Sequence, residues 1–275
     1  MEDQRQMQHY RIGDYAKYMG VTPDLLKHYE ELGLIRSERA ENGYRYYPFY
    51  TSALLLECIR LRNYGMTLRE IAHILSDNGI TDGAMNNKLE RNMELLREEI
   101  SLNQLLLDDY AFCGRIRKML EHTDHEWIIR SSEEICFLPH TNGYVFLPDE
   151  RIYEIIKEWM SYVPVVKSIM RVDPERGNIW GLAARRADLE RLKIPVNDAV
   201  EVLPPKKVLI YYSKGQILPL PDEHAENPSH PVMQLLSSLN LKPDGPYYRV
   251  VLMPSDWARP ASHQYGLYVV PIAWR

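Results

Sequence analysis

The 275 residues predict an α+β chain in three unlike segments, and three observations carry that reading. Residues 9–77 hold short helical patterns, each with its own start and stop signals. Residues 81–121 run without proline and hold glycine only at Gly83, near the start, and Gly114. Residues 126–275 hold sixteen of the eighteen prolines among many Val, Ile and Tyr, the texture of mixed strands and helices.

In the first segment a short helix is expected over Ile12 to Met19, with Ile12, Tyr15, Ala16 and Met19 on one face and Gly20 as its stop. Thr22-Pro23 opens a second helix: threonine caps well, and proline is favoured at the next position, where its missing N–H costs nothing. That helix runs to about Leu32 and Gly33 ends it, so two short helices are joined by a glycine turn. Asn42-Gly43 predicts a tight hairpin between RSERAE and YRYY. A third helix follows over about Thr51 to Tyr64, and Thr67-Leu68-Arg69-Glu70 is a capping box opening a fourth through Leu75. The pattern is a winged helix-turn-helix.

Residues 81–121 read as one helix. Leu89, Met93, Leu96, Ile100, Asn103, Leu107 and Tyr110 recur in steps of four and three, a narrow seam suited to a coiled coil with a second chain. Asn103 is its polar member and a candidate for fixing register. A helix of ~40 residues is ~60 Å long, more than one small domain covers.

Composition bounds the function. No apolar run approaches the ~20 residues of a membrane span, and the polar MEDQRQMQHY start is not a secretory signal. Cys58, Cys113 and Cys136 are widely spaced and odd in number, so neither a disulfide framework nor a C-x-x-C pair is expected; the chain reads as cytoplasmic. The net charge of −5 is uneven. Residues 77–129 carry eleven acids against six Lys/Arg, whereas residues 9–76 carry nine Lys/Arg against eight acids. The local placement of bases decides nucleic-acid binding, not the sum.

In a DNA-binding helix-turn-helix the second helix enters the major groove. Thr22, Lys27, His28 and Tyr29 on that helix, Tyr44, Arg45 and Tyr46 on the wing, and Arg62 on the third helix are therefore the expected DNA contacts. Lys27 and Arg45 suit phosphates or guanine, and His28 and the tyrosine hydroxyls suit phosphates or base edges. Strand alternation turns at least one of Tyr44 to Tyr47 inward.

These residues resemble the MerR family of transcription regulators. YRIGDYAK, VTPDLLKHYEELGLI, NGYRYY and YGMTLREI follow that family's order and spacing over about 65 residues. Lys27-His28-Tyr29 departs from the usual Arg-Tyr-Tyr, and lysine lacks the bidentate fork of arginine. The resemblance implies a homodimer joined by the long helix on a palindromic double-stranded promoter site. It also implies activation by bending and untwisting the promoter for RNA polymerase. The last segment is similar to GyrI-like effector-binding domains, through GNIWGLAARRADLERL, EVLPPKKVLIYYSKG, HPVMQLLSSLNLKPDGPYYRVVLM and YGLYVVPIAW. That implies two strand–helix units around a groove for small aromatic or amphiphilic molecules, as in multidrug sensors.

Tyr144, Trp180, Tyr211, Tyr247, Arg249, Tyr265 and Tyr268 are the expected ligand-binding residues, most of them aromatic and on probable strands. Trp180 is placed in a turn-flanked strand between Gly177 and Gly181. Tyr247 to Met253 contains no acid, which favours neutral or anionic ligands over cations. No catalytic triad or metal-ligand spacing is seen among the nine histidines, so no cofactor, no metal and no enzyme activity are expected. Two alternatives remain open: a hydrolase-like GyrI domain, which would need a paired carboxylate such as Glu201, and a metal or redox sensor.

Overall fold

A computed structural model describes residues 9–40, 43–75, 82–143, 145–173, 177–216, 230–256 and 263–274. The chain divides into two compact units, Met1–Glu99 and Ile100–Arg275.

In the first unit, β1 (His9–Arg11) leads directly into α1 (Ile12–Met19), which ends at Gly20 with φ 67°. In α2 (Pro23–Glu31) the Thr22 hydroxyl accepts from Leu25 N at 3.2 Å, and Gly33 at φ 72° follows the helix end. The wing is β2 (Glu38–Arg39) paired antiparallel with β3 (Arg45–Pro48). Asn42 lies outside the described residues, and Gly43 has φ 78°. β1, which no sequence signal marks, pairs with β3 to make a three-stranded sheet. Then come α3 (Thr51–Asn63) and α4 (Leu68–Leu75). The capping box forms as expected: Glu70 accepts from Thr67 N at 2.8 Å, and Thr67 Oγ1 accepts from Glu70 N at 3.3 Å. Tyr15, Leu26, Tyr29, Tyr47, Leu55 and Ile71 fill the core.

The long helix α5 (Asp82–Met119) is a single element, and the division between units falls inside it. Its first half gives Met85 and Leu89 to the first unit's core, so Leu89 of the expected seam is used within the chain. Its second half packs Leu102, Leu105 and Leu106 on one core of the second unit and Phe112 and Ile116 on another. Ile100, Leu107 and Tyr110 are exposed, an apolar stripe left on the other face.

The second unit is built on a nine-stranded antiparallel sheet. Its strands are β4 (His125–Ser131), β5 (Ile135–Pro139), β8 (Lys167–Asp173), β9 (Gly177–Arg185), β10 (Glu201–Leu203), β11 (Lys207–Gln216), β12 (Leu241–Pro243), β13 (Tyr247–Pro254) and β14 (His263–Trp274). The order is β10-β5-β9-β8-β13-β14-β11-β4, with β12 also on β14. A short hairpin pairs β6 (Thr141–Asn142) with β7 (Val145–Phe146). Among the described residues, helices α6 (Glu150–Ser161), α7 (Arg186–Arg191) and α8 (Pro231–Ser238) accompany the sheet. Trp159 and Ile155 of α6 pack with Leu138 and Leu182, while Val232 and Leu236 of α8 pack with Leu209, Tyr247 and Val270. Residues two apart along a strand share a face, so the sheet has an α8-covered face and an opposite one.

Candidate functional site

Glu30, near the end of α2, ties the wing to the helix. Its carboxylate accepts from Ser37 Oγ and, at 3.3 Å, from the Tyr47 hydroxyl. Arg45 Nε on the wing lies 3.2 Å from the same carboxylate, an ion pair by distance without hydrogen-bond alignment. Burial, and then Glu30, pushes the Tyr47 hydroxyl up to about 12, so it stays protonated and donates. Tyr47 stacks on Tyr15 at 5.1 Å, and Tyr15 shares a 3.0 Å hydrogen bond with Ser52 on α3. Helix, wing and third helix are thereby held in one rigid arrangement.

The expected DNA contacts divide by position. Lys27 and His28 lie on the outer side of α2, pairing along the helix with Asp24 at 3.0 Å and Glu31 at 3.9 Å. Thr22 is engaged as the cap. Tyr29 is corrected to a core residue: it is 1% exposed, and its hydroxyl reaches Arg62 from beneath. Arg62 itself is exposed on α3. On the wing Tyr44 is exposed and Tyr47 is the inward member of the tyrosine run. Arg11 was not singled out from the sequence, yet its guanidinium lies 5.3 Å over the Tyr44 ring, and Tyr46, opposite it on β3, raises its pKa. The signal was available in the Tyr10-Arg11-Ile12 run, but a strand of three residues gives no alternation to read.

In the second unit Tyr268 gathers most of the expected ligand residues. On the α8-covered face its ring lies 6.3 Å from Tyr211, 6.3 Å from Tyr247 and 5.0 Å from His230, with the Arg249 guanidinium 5.8 Å away. Trp180 packs against the same cluster. His125 stacks on Tyr211 at 5.3 Å. His230 caps α8, its Nδ1 accepting from Val232 N at 3.3 Å, and burial and then Arg249 lower its pKa. Neither histidine was anticipated as a neighbour. Tyr265 lies on the opposite face with Tyr212, Ile116 and Leu120. Trp180 is on a strand as expected, but Gly181 lies inside β9 and not in a flanking turn; the Trp180 backbone N–H donates to Thr141 Oγ1 at 2.8 Å. Tyr144 lies outside the described residues.

The opposite face holds a polar cluster that the sequence reading missed. Arg171 on β8 is 5% exposed, lies 5.2 Å over the Phe137 ring, and donates from Nη1 to Glu201 on β10. Tyr248 is opposite Arg171 on β13, and its hydroxyl hydrogen-bonds to the guanidinium. Glu201 therefore has an arginine for its partner, not the second carboxylate that a hydrolytic site would use. Among the described residues no group of three or more His, Cys, Asp or Glu is placed to hold a metal ion. No described helix is long and apolar enough to cross a membrane.

Residues 10–78 match the family described as MerR HTH family regulatory protein, and this segment is a helix-turn-helix domain of that class. Among curated relatives, the chain is 33% identical to the Transcriptional regulator BrlR of Pseudomonas aeruginosa, over 44% of this chain and 43% of that protein. It is 25% identical to the Multidrug-efflux transporter 2 regulator of Bacillus subtilis, over 54% of this chain and 56% of that one. The chain thus spans about half the length of these curated relatives. The solved structure "Cryo-EM structure of EcmrR-DNA complex in EcmrR-RPo" aligns over 97% of this chain and 100% of that one, at 15% identity and a TM-score of 0.35.

Proposed function

We propose that the chain is a ligand-responsive transcription regulator. It binds a palindromic promoter site as a homodimer in the cytoplasm, through the first unit, and senses a small aromatic or amphiphilic molecule through the second. The observation that carries this reading is the winged helix-turn-helix, with its wing fixed to α2 through Glu30 while Lys27, His28 and Tyr44 stay exposed. Two of these curated relatives are named as transcription or efflux-transporter regulators, which supports a regulator over an enzyme. Activation by distortion of promoter DNA that RNA polymerase then engages belongs to the same reading, and bending a site costs on the order of 1–6 kcal/mol.

The homodimer is supported by the exposed stripe of Ile100, Leu107 and Tyr110 on α5. The test is a mobility shift and footprint on the fragment upstream of the protein's own gene, at low salt, with and without aromatic ligands. A protected palindrome is expected, and failure to shift under either condition overturns the reading. Sedimentation of Ile100→Asp/Leu107→Asp adds the second test. Charges on the stripe should convert the dimer to a monomer, because burying them unpaired is costly; a variant that remains dimeric places the interface elsewhere.

A further inference from the structure

We infer that the face of the C-terminal sheet opposite α8 holds a recognition site for an aromatic carboxylate, with Arg171 as the receiving group and Glu201 as its resident competitor. The inference rests on the effector-binding reading and gives it a place and a ligand class.

A buried guanidinium is costly unless its donors find acceptors. Arg171 carries five N–H donors in a planar fork. Glu201 takes Nη1, yet Nε, also buried, has no hydrogen-bond acceptor. The present arrangement thus holds the charge without using the geometry that distinguishes arginine, which is the bidentate match to a planar carboxylate. A carboxylate approaching along the fork would accept from Nε as well.

Glu201 is able to give way. Its side chain is 41% exposed, and it sits on the three-residue edge strand β10. Turning Glu201 out into water while a ligand carboxylate takes its place conserves the charge at Arg171. A cationic ligand finds no such exchange, because Glu201 is already neutralised by the arginine.

The surroundings are aromatic and apolar. Phe137 lies beneath the guanidinium, with Tyr248 edge-on to it at 6.3 Å and Ile169, Ile179 and Ala183 around it. Phe137 seats directly on Gly181, where a Cβ would fall 2.3 Å from the ring and 2.5 Å from Leu138 O. Glycine at that strand position lets the ring lie flat against the sheet.

The experiment is calorimetric titration of the full chain with three matched probes: 2-naphthoate, 2-naphthamide and 2-naphthylmethylammonium. Naphthoate is expected to bind about tenfold tighter than the amide, with the ammonium weakest. Glu201→Gln keeps the shape and weakens the competitor, so naphthoate should bind about tenfold tighter to it. Arg171→Lys keeps the charge and loses the fork, so naphthoate binding should fall by about tenfold while the thermal melt stays cooperative. Equal binding of naphthoate and amide, preference for the ammonium, or unchanged or weaker naphthoate binding by Glu201→Gln overturns the inference. If another probe binds where naphthoate does not, the effector-binding reading survives and the carboxylate site falls. If no probe binds, the site falls too, while promoter binding by mobility shift judges the regulator reading separately.

Discussion

Each unit contains an arginine–glutamate pair at a strand, and the two pairs are built in opposite senses. In the first, the acid is the more buried partner: the Glu30 side chain is 22% exposed against 38% for Arg45. In the second, the base is buried: the Arg171 side chain is 7% exposed against 41% for that of Glu201. The buried member is the one tied to its surroundings, Glu30 by Ser37 and Tyr47, Arg171 by Tyr248 and Phe137. The outer member is the one free to exchange partners. A wing that offers a cation suits phosphates; a sheet face that offers a displaceable carboxylate over a buried cation suits an anion. The order of burial within a pair, not the presence of the pair, decides what the surface can receive.

The largest expected difference between the pairs is in stability. Arg171→Ala should destabilise the second unit by ~2–3 kcal/mol, through lost packing on Phe137 and a stranded Tyr248 hydroxyl, moderated because Glu201 reaches water. Arg45→Ala should cost under ~1 kcal/mol, as for other partly exposed pairs. All five tryptophans lie in residues 126–275, so their fluorescence during urea unfolding reports the second unit, and circular dichroism reports both. Equal losses would show that the two pairs are not inverted. Gly181→Ala sharpens the same contrast. Its Cβ meets backbone as well as the Phe137 ring, so ~1–3 kcal/mol should be lost in the tryptophan transition. An undiminished midpoint would mean that the strand yields at that position.

The DNA-binding pair should show itself in salt dependence. If Arg45 moves from Glu30 to phosphate, Arg45→Ala in a dimer should flatten the slope of log K against log salt by about two. An unchanged slope would keep Arg45 on Glu30 and off the DNA. The smallest effect concerns Glu70, which Lys88 at 2.6 Å and then the Thr67 N–H hold down to about 2. Its folded pKa lies below the ordinary carboxylate value, so the stability it gives is present above about pH 4.5 and is lost as pH falls toward 2. Both partners are partly exposed, so Glu70→Gln should remove under ~1 kcal/mol of this acid-side dependence in pH-resolved melts. An identical acid limb in wild type and variant would show that the capping box does not depend on that charge.

The first unit was legible because its signals are local. Thr22-Pro23, Gly20, Gly33 and the Thr67–Glu70 box each act within one turn of helix, and each forms as read. Tyr29 was misplaced because its helix neighbours Lys27 and His28 are exposed, and only the packing of α3 shows which side is inner. In the second unit aromatic composition found the Tyr268 cluster but could not assign faces. A slip of one residue in strand phase sends a side chain to the other side of the sheet, so composition alone leaves the faces of Tyr265 and Tyr268 on β14 unassigned. Arg171 escaped notice because a charge in a strand ordinarily marks a solvent face. The available signal was a charge inside the buried run of KSIMRVD, but the Phe137 ring it meets lies on another strand, β5, whose register no sequence pattern gives.

The cysteines, read above as plain unpaired thiols, give the molecule internal clocks. Cys58 lies in the first unit's core, fully covered, with its thiol pushed up to about 11 by burial and then by Glu57. Cys113 and Cys136 are buried in the second unit, their ionisation likewise opposed by burial. A thiol reagent needs both access and thiolate, so each sulfur waits for its own surroundings to open. Alkylation rates at the three positions, separated by mass, would therefore time how often each core breathes. Promoter DNA should slow the first clock alone if it acts on the first unit alone, and any slowing of the other two would measure communication between the ends of the chain.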